Sequence, residues 1–148
     1  MIKTVAVYLG SKNGISADYL ETARKMGELL AKADIDIVYG GTNIGTMTAM
    51  AEGALDSGGI VTGVIPETFH SRSITSNKVT KCIHTKDLKE RKEVMESLSQ
   101  AAIILPGSYG TMDELFEYAV NNQLFKLERP IFVLNHIGSM FLISIPSI

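Results

Sequence analysis

Short apolar runs alternate along this chain with segments whose apolar residues recur every three to four positions, and a glycine or proline closes most of the runs. Thr4 to Leu9 is apolar and rich in β-branched residues and ends at Gly10-Ser11, the pattern of a buried strand and its turn. From Ala17, residues Leu20, Ala23, Met26, Gly27, Leu30 and Ala31 recur at helical spacing, which predicts a first helix ending before Asp34, with Ser16 or Asp18 able to cap it. Ile35 to Tyr39 reads as the second strand. Gly40 to Gly45 is its turn, and Thr46 to Leu55 is a second helix with Met47, Met50, Ala51, Ala54 and Leu55 on one face, stopped by Ser57-Gly58-Gly59. Ile60 to Ile65 is a third strand closed by Pro66. Glu67 to Lys78 is polar and without a period, so it reads as a long surface loop that could act as a lid. Val79 to Thr85 is a weaker strand, and a third helix is expected from Asp87 to Gln100. Ala101 to Leu105 is the fifth strand, halted at Pro106. A fourth helix places Met112, Leu115, Phe116, Ala119, Val120 and Leu124 on one stripe, and Pro130 to Leu134 is the last strand. Alternation of this kind with short connections predicts parallel strands joined by right-handed crossovers, a doubly wound α/β sandwich in three layers. Such an architecture calls for one more amphipathic helix after Asn135. GSMFLISIPSI offers neither charges nor a helical period, so the C-terminal helix is expected to be missing or altered.

The bulk numbers narrow the function classes. At 148 residues, the chain reads as a single domain with a real core. A formal net charge of −2 gives no basis for a broad nucleic-acid surface or for attraction to an acidic membrane. One cysteine, Cys82, excludes an intrachain disulfide framework and fits a reducing compartment, so the cytoplasm is the expected location. The apolar N-terminal run is short enough to be a strand and too short for a signal sequence, and no stretch approaches a membrane span. Cys82, on a β pattern, is expected to be a packed thiol. His70, His84 and His136 lack ligand spacing and read as surface or loop residues, the methionines read as core, and no metal site is expected.

Two strand-turn-helix units carry the candidate chemistry. The stretch AAIILPGSYGTMDE, from Ala101 to Glu114, and the stretch from Ile35 to Leu55 each place glycines between a buried strand and a helix start. Glycines let backbone N–H groups approach an anionic ligand, and a helix N-terminus favours negative charge, so each turn looks like half of a phosphate site. Parallel sheets bind ligands at the carboxyl ends of their strands, so two such turns point to one shared ligand. Arg91 lies between Leu88 and Met95 on the apolar face of the third helix, where a guanidinium needs a partner or a ligand. It could instead snorkel to water or pair with a structural carboxylate. Lys92, one step round, is expected to face outward. Glu114 has two readings. With Thr111 as N-cap it completes a capping box. Alternatively, following the glycine turn, it faces whatever that turn binds, and a carboxylate beside an arginine suits cleavage of a glycosidic bond with its cation-like transition state.

The residues also resemble a known family. Pro106 to Glu114 is similar to the PGGxGTxxE motif of the LONELY GUY (LOG) proteins, cytokinin riboside 5'-monophosphate phosphoribohydrolases once labelled possible lysine decarboxylases. Leu88 to Lys92 resembles their MxxRK element, Tyr39-Gly40-Gly41 with Gly45 their second glycine loop, and Gly10-Ser11 their first turn. The similarity runs in order from about Val5 to Leu134. It implies a Rossmann-like fold, hydrolysis of the N-glycosidic bond of a nucleoside 5'-monophosphate without a cofactor, and a homodimer. It carries the family's catalytic pair over to Arg91 and Glu114. It also implies that the 5'-phosphate is cradled by Gly41, Thr42 and Gly45 and by Gly107, Ser108, Tyr109, Gly110 and Thr111, with Gly10, Ser11 and Lys92 completing the substrate site. Ser108 and Thr42 stand where the family has glycine. A serine is tolerated at negative φ and costs ~1 kcal/mol or more at positive φ. A nucleotide-binding or carrier module that hydrolyses nothing is the competing reading, since fold alone does not decide between them. A dinucleotide dehydrogenase is disfavoured because no GxGxxG follows the first strand, and no lysine stands in a recognisable pyridoxal phosphate context for a decarboxylase.

Overall fold

A computed structural model describes residues 1–12, 16–72, 78–134 and 140–143. Its elements in chain order are β1 (Thr4–Tyr8), α1 (Ala17–Lys32), β2 (Asp36–Tyr39), α2 (Gly45–Asp56), β3 (Val61–Pro66), a 3-10 segment (Glu67–Arg72), β4 (Lys81–Thr85), α3 (Leu88–Leu98), β5 (Ala101–Ile104), α4 (Tyr109–Leu124), β6 (Ile131–Leu134) and β7 (Met140–Ile143). The strands form one sheet in the order β4-β3-β2-β1-β5-β6-β7. Neighbouring pairs from β4 through β6 are parallel. Chain order reverses direction across the sheet between β1 and β5, the switch point at which doubly wound folds open a crevice.

Alternation along the central strands builds two cores. Val5, Val7 and Leu9 face Ala23, Leu30, Met47 and Met50 of α1 and α2, whereas Ala6 and Tyr8 face Met95, Leu115 and Tyr118 of α3 and α4. Helices α1 and α2 pack closely because Gly27 and Gly53 let their backbones touch: a Cβ at Gly27 would collide with Met50 O, and one at Gly53 with Arg24 O. Helix α3 starts cleanly, with Asp87 Oδ1 accepting from the Glu90 N–H at 2.8 Å.

Three expectations are corrected. The fourth helix begins at Tyr109 with Ser108 as N-cap, two residues before Thr111. Its buried residues are Thr111, Glu114, Leu115, Tyr118 and Asn122, while Met112, Phe116, Val120 and Leu124 are exposed. Glu114, Tyr118 and Asn122 occupy the inner face because each has a partner there, in Arg91, Ser99 and Arg129, and a hydrophobic periodicity does not register that. Cys82 is exposed on the edge strand β4, its Sγ 3.7 Å from His84 Nε2, because only one face of an edge strand is covered here. The expected parallel sheet is present from β4 through β6, and the tail that has no helical period adds β7, antiparallel to β6. Among the described residues no helix follows β6. An open groove lined by Met26, Leu29 and Leu134 lies on the α1 side. The expected lid falls partly in the 3-10 segment and partly, with His136 and much of the tail, outside the described residues.

Candidate active site

Three turns converge at the carboxyl ends of β2, β1 and β5, which are neighbours in the sheet. The Gly10 N–H donates to Pro106 O at 3.2 Å, joining the turn after β1 to the turn after β5. The Thr46 hydroxyl donates to Gly10 O at 2.6 Å, tying the start of α2 to the same turn. Gly41 and Gly45 have φ of 72° and 55°, the left-handed region that favours glycine. Space forbids a side chain at either as well, since a Cβ at Gly41 would strike Ile65 and one at Gly45 the Lys12 carbonyl. Thr42 and Ser108 are accommodated because neither needs positive φ. Ser108 sits at φ −116°, and Thr42 is buried with its hydroxyl against Met47 Sδ at 2.6 Å. Ser11 is exposed, as are Gly107, Ser108, Tyr109 and Gly110, and a Cβ on Gly110 would meet nothing within 4 Å. The turn after β5 therefore presents an open backbone surface beside the buried Thr111.

Arg91 and Glu114 meet at the base of this crevice. Arg91 reaches from α3 past Gly40, where a Cβ would lie 3.1 Å from its Nη1, and donates through Nη2 to Glu114 Oε1 at 2.9 Å. Their side chains are 11% and 7% exposed, so the pair is shielded from bulk water yet lies under the glycine turns. The capping-box reading of Glu114 is corrected: Thr111 lies inside α4, no side-chain cap bond forms, and the carboxylate goes to Arg91. Burial pushes the Glu114 carboxyl up to about 7, and Arg91 pulls it back in part. Arg91 Nε is buried with no hydrogen-bond partner among the described residues, a donor left for something else.

Lys92 does not face outward. Its ammonium is held by Asp113 at 2.9 Å and by Glu117, and its side chain is only 16% exposed. Two carboxylates neutralise it, so in this arrangement it links α3 to α4 and does not stand free for a phosphate. Several residues near the site escaped the sequence reading. Tyr8 lies beneath Glu114 from β1, its hydroxyl kept from ionising by burial and by that carboxylate. Tyr118 packs edge-on against Tyr8 with ring centroids 6.2 Å apart, and the Arg129 guanidinium stacks 4.4 Å from the Tyr118 centroid. Arg129 Nη2 meets Glu96 Oε1 at 2.5 Å, and Asn121 donates to Glu96 Oε2 at 2.8 Å. Charged and amide residues on helices read as solvent-facing, and only their tertiary partners show otherwise. Among the described residues no group of three or more His, Cys, Asp or Glu is placed to hold a metal.

With this geometry in place, the comparisons with known proteins bear on it directly. Residues 47–143 match a family model described as "Possible lysine decarboxylase". A cytokinin riboside 5'-monophosphate phosphoribohydrolase of Arabidopsis thaliana is 38% identical over 133 residues, covering 90% of this chain and 62% of that protein. The protein of that name in Rhodococcoides fascians is 37% identical over 134 residues, covering 90% of this chain and 68% of its own. The chain thus spans about two thirds of the length of these curated relatives. A molybdenum cofactor binding protein from Rippkaea orientalis has the same fold, with a TM-score of 0.76 and 23% identity over 91% of this chain and 77% of that one. Matched over most of its length by phosphoribohydrolase relatives and by the family model, the chain belongs to the LOG, or possible lysine decarboxylase, family.

Proposed function

We propose that this protein hydrolyses the N-glycosidic bond of an adenosine 5'-monophosphate, N6-modified in the cytokinin-activating case, to free base and ribose 5-phosphate. The buried Arg91–Glu114 pair beneath two glycine turns is the observation that carries the reading. The names of the relatives agree with it. In this reading the 5'-phosphate rests on the turns at Gly41 to Gly45 and Gly107 to Thr111, where backbone N–H groups supply the anion site. As the bond between C1' and the base nitrogen lengthens, positive charge builds on the ribosyl ring. Ionised Glu114 stabilises that charge and orients a water for attack at C1'. The water's oxygen forms the new C1'–O bond as one of its O–H bonds releases a proton, the base departs with the electron pair of the broken C1'–N bond, and the base takes up a proton, so the step balances as addition of one water. Arg91 favours the ionised form of Glu114 against the burial that opposes it, and its unpartnered Nε is available to the substrate. The exposed apolar residues Tyr109, Met112, Phe116 and Val120 on one side of α4 support a homodimer as part of the proposal. The unpaired Cys82 fits a cytoplasmic location.

Incubating the purified protein with AMP and with isopentenyladenosine monophosphate, and following free base by chromatography, tests this. Base release by the wild type that is lost in Glu114→Gln supports the hydrolase. Nucleotide binding with no base release in the wild type supports a non-hydrolytic binding or carrier protein of the same fold.

A further inference from the structure

Helices α3 and α4 carry the two members of the proposed catalytic pair, so whatever fixes one helix against the other fixes the reacting geometry. Their N-terminal halves are joined by Lys92 with Asp113 and Glu117, and by Arg91 with Glu114 itself. Their C-terminal halves are joined by a second, separate assembly centred on Arg129, from the segment between α4 and β6. Its Nη2 meets Glu96 Oε1 at 2.5 Å, its Nη1 donates to the Glu96 carbonyl at 3.3 Å, and its Nε donates to Asn122 Oδ1 at 2.9 Å. Asn122 returns a bond to the Arg129 carbonyl at 2.7 Å, and Asn121 completes Glu96. The Glu96 and Arg129 side chains are 12% and 15% exposed, so the pair is sheltered and its partners are specific.

This assembly is connected to the site. The Arg129 guanidinium lies over Tyr118, Tyr118 packs edge-on against Tyr8, and the buried Tyr8 hydroxyl is within electrostatic reach of Glu114, Glu96 and Arg129. Packed aromatic rings are stiff, and a shift at one end of such a column is passed to the other. The groups facing Glu114 are Arg91 and Lys92 from α3, its neighbour Asp113 on α4, and Tyr8 from β1. None of them belongs to the Arg129 assembly, so the assembly acts on Glu114 through placement.

We infer that Glu96 and Arg129 are a positioning pair that holds α3 against α4 at the spacing the Arg91–Glu114 contact requires. The role of that contact in catalysis rests on the hydrolase reading above; the placement itself does not. Loosening the pair lets Arg91 and Glu114 separate, and a carboxyl losing a neighbouring cation takes up a proton more readily.

The test uses the whole protein with Glu96→Gln, Arg129→Met and Arg129→Lys, which keeps the charge and gives up the guanidinium fork and its stack on Tyr118. Two quantities are followed: the pH dependence of kcat for AMP hydrolysis and the titration of the Glu114 carboxyl by carbon-13 NMR. In Glu96→Gln and Arg129→Met both should move to higher pH by about one unit, with KM changed less than about threefold, and Arg129→Lys, which retains only the charge pair with Glu96, should shift them by less than Arg129→Met does. Loss of thermal stability with the Glu114 titration unmoved would mean that the pair is merely structural, and the inference would fall. If the wild type releases no base, the hydrolase reading fails on its own, and the carboxyl titration still decides: the same shift upholds the positioning role and an unmoved titration overturns it. Should Arg129→Met not fold, Glu96→Gln decides by the same criterion.

Discussion

Glu114 is subject to two opposed effects, burial that favours its neutral form and Arg91 that favours its charge, and burial is the larger. If the ionised carboxylate does the work, kcat for base release should fall about tenfold per pH unit below ~7 and level off above it, which a pH–rate profile checks. The same shift acts on stability with a definite sign. A carboxyl that binds its proton more tightly in the folded state than at its ordinary value of 4.5 stabilises the fold most in acid, and that contribution is lost as pH rises toward about 7. Relative to Glu114→Gln, which cannot titrate, the wild type should therefore lose on the order of 1–3 kcal/mol between pH 4.5 and 7, seen as a narrowing or inverting difference in Tm. At Gly41, positive φ and the close approach of Ile65 act together. Gly41→Ala should cost about 1–3 kcal/mol by denaturant titration, and should weaken nucleotide binding by displacing the turn.

At the scale of elements, the site depends on where α3 and α4 begin and which faces they turn inward. Asp87 caps α3 one turn before Arg91. Asp87→Ala should cost about 1 kcal/mol in chemical denaturation and raise KM little. Lys92 was legible in the sequence only as part of a motif, and the structure commits it to two carboxylates on α4. Strands β1 to β6 were legible to within a residue or two, because all but the weaker β4 are apolar runs ended by glycine, proline or a polar turn. The face of α4 was not, because Glu114, Tyr118 and Asn122 turn inward toward Arg91, Ser99 and Arg129. Periodicity counts apolar residues and has no means of recognising a polar residue that is buried with its partner.

For the molecule as a whole, the outer face of α4 is an apolar surface that no described residue covers. Phe116 is 64% exposed, and Met112 and Val120 one turn to either side share its face. A homodimer built on this face predicts that Phe116→Asp shifts the sedimentation coefficient from dimer toward monomer and removes the concentration dependence of Tm. A dimer unaffected by the substitution would place the interface elsewhere. The groove on the α1 side is lined by Asp18 to Leu29 of α1 and by Leu134, which ends β6 beside β5.

The sequence by itself determined the alternation of strands and helices, the two glycine turns and the candidacy of Arg91 and Glu114, because these depend on local pattern and on residue types that few positions tolerate. Tertiary structure alone decided that Arg91 and Glu114 touch, that Thr111 does not cap, that Cys82 is exposed, and that the C-terminal tail pairs as an antiparallel strand. It also decided that Glu96 and Arg129 clamp the two helices from behind. Each of these is settled by a partner distant in the chain, and a burial or a charge pair between distant residues leaves no local periodicity to read.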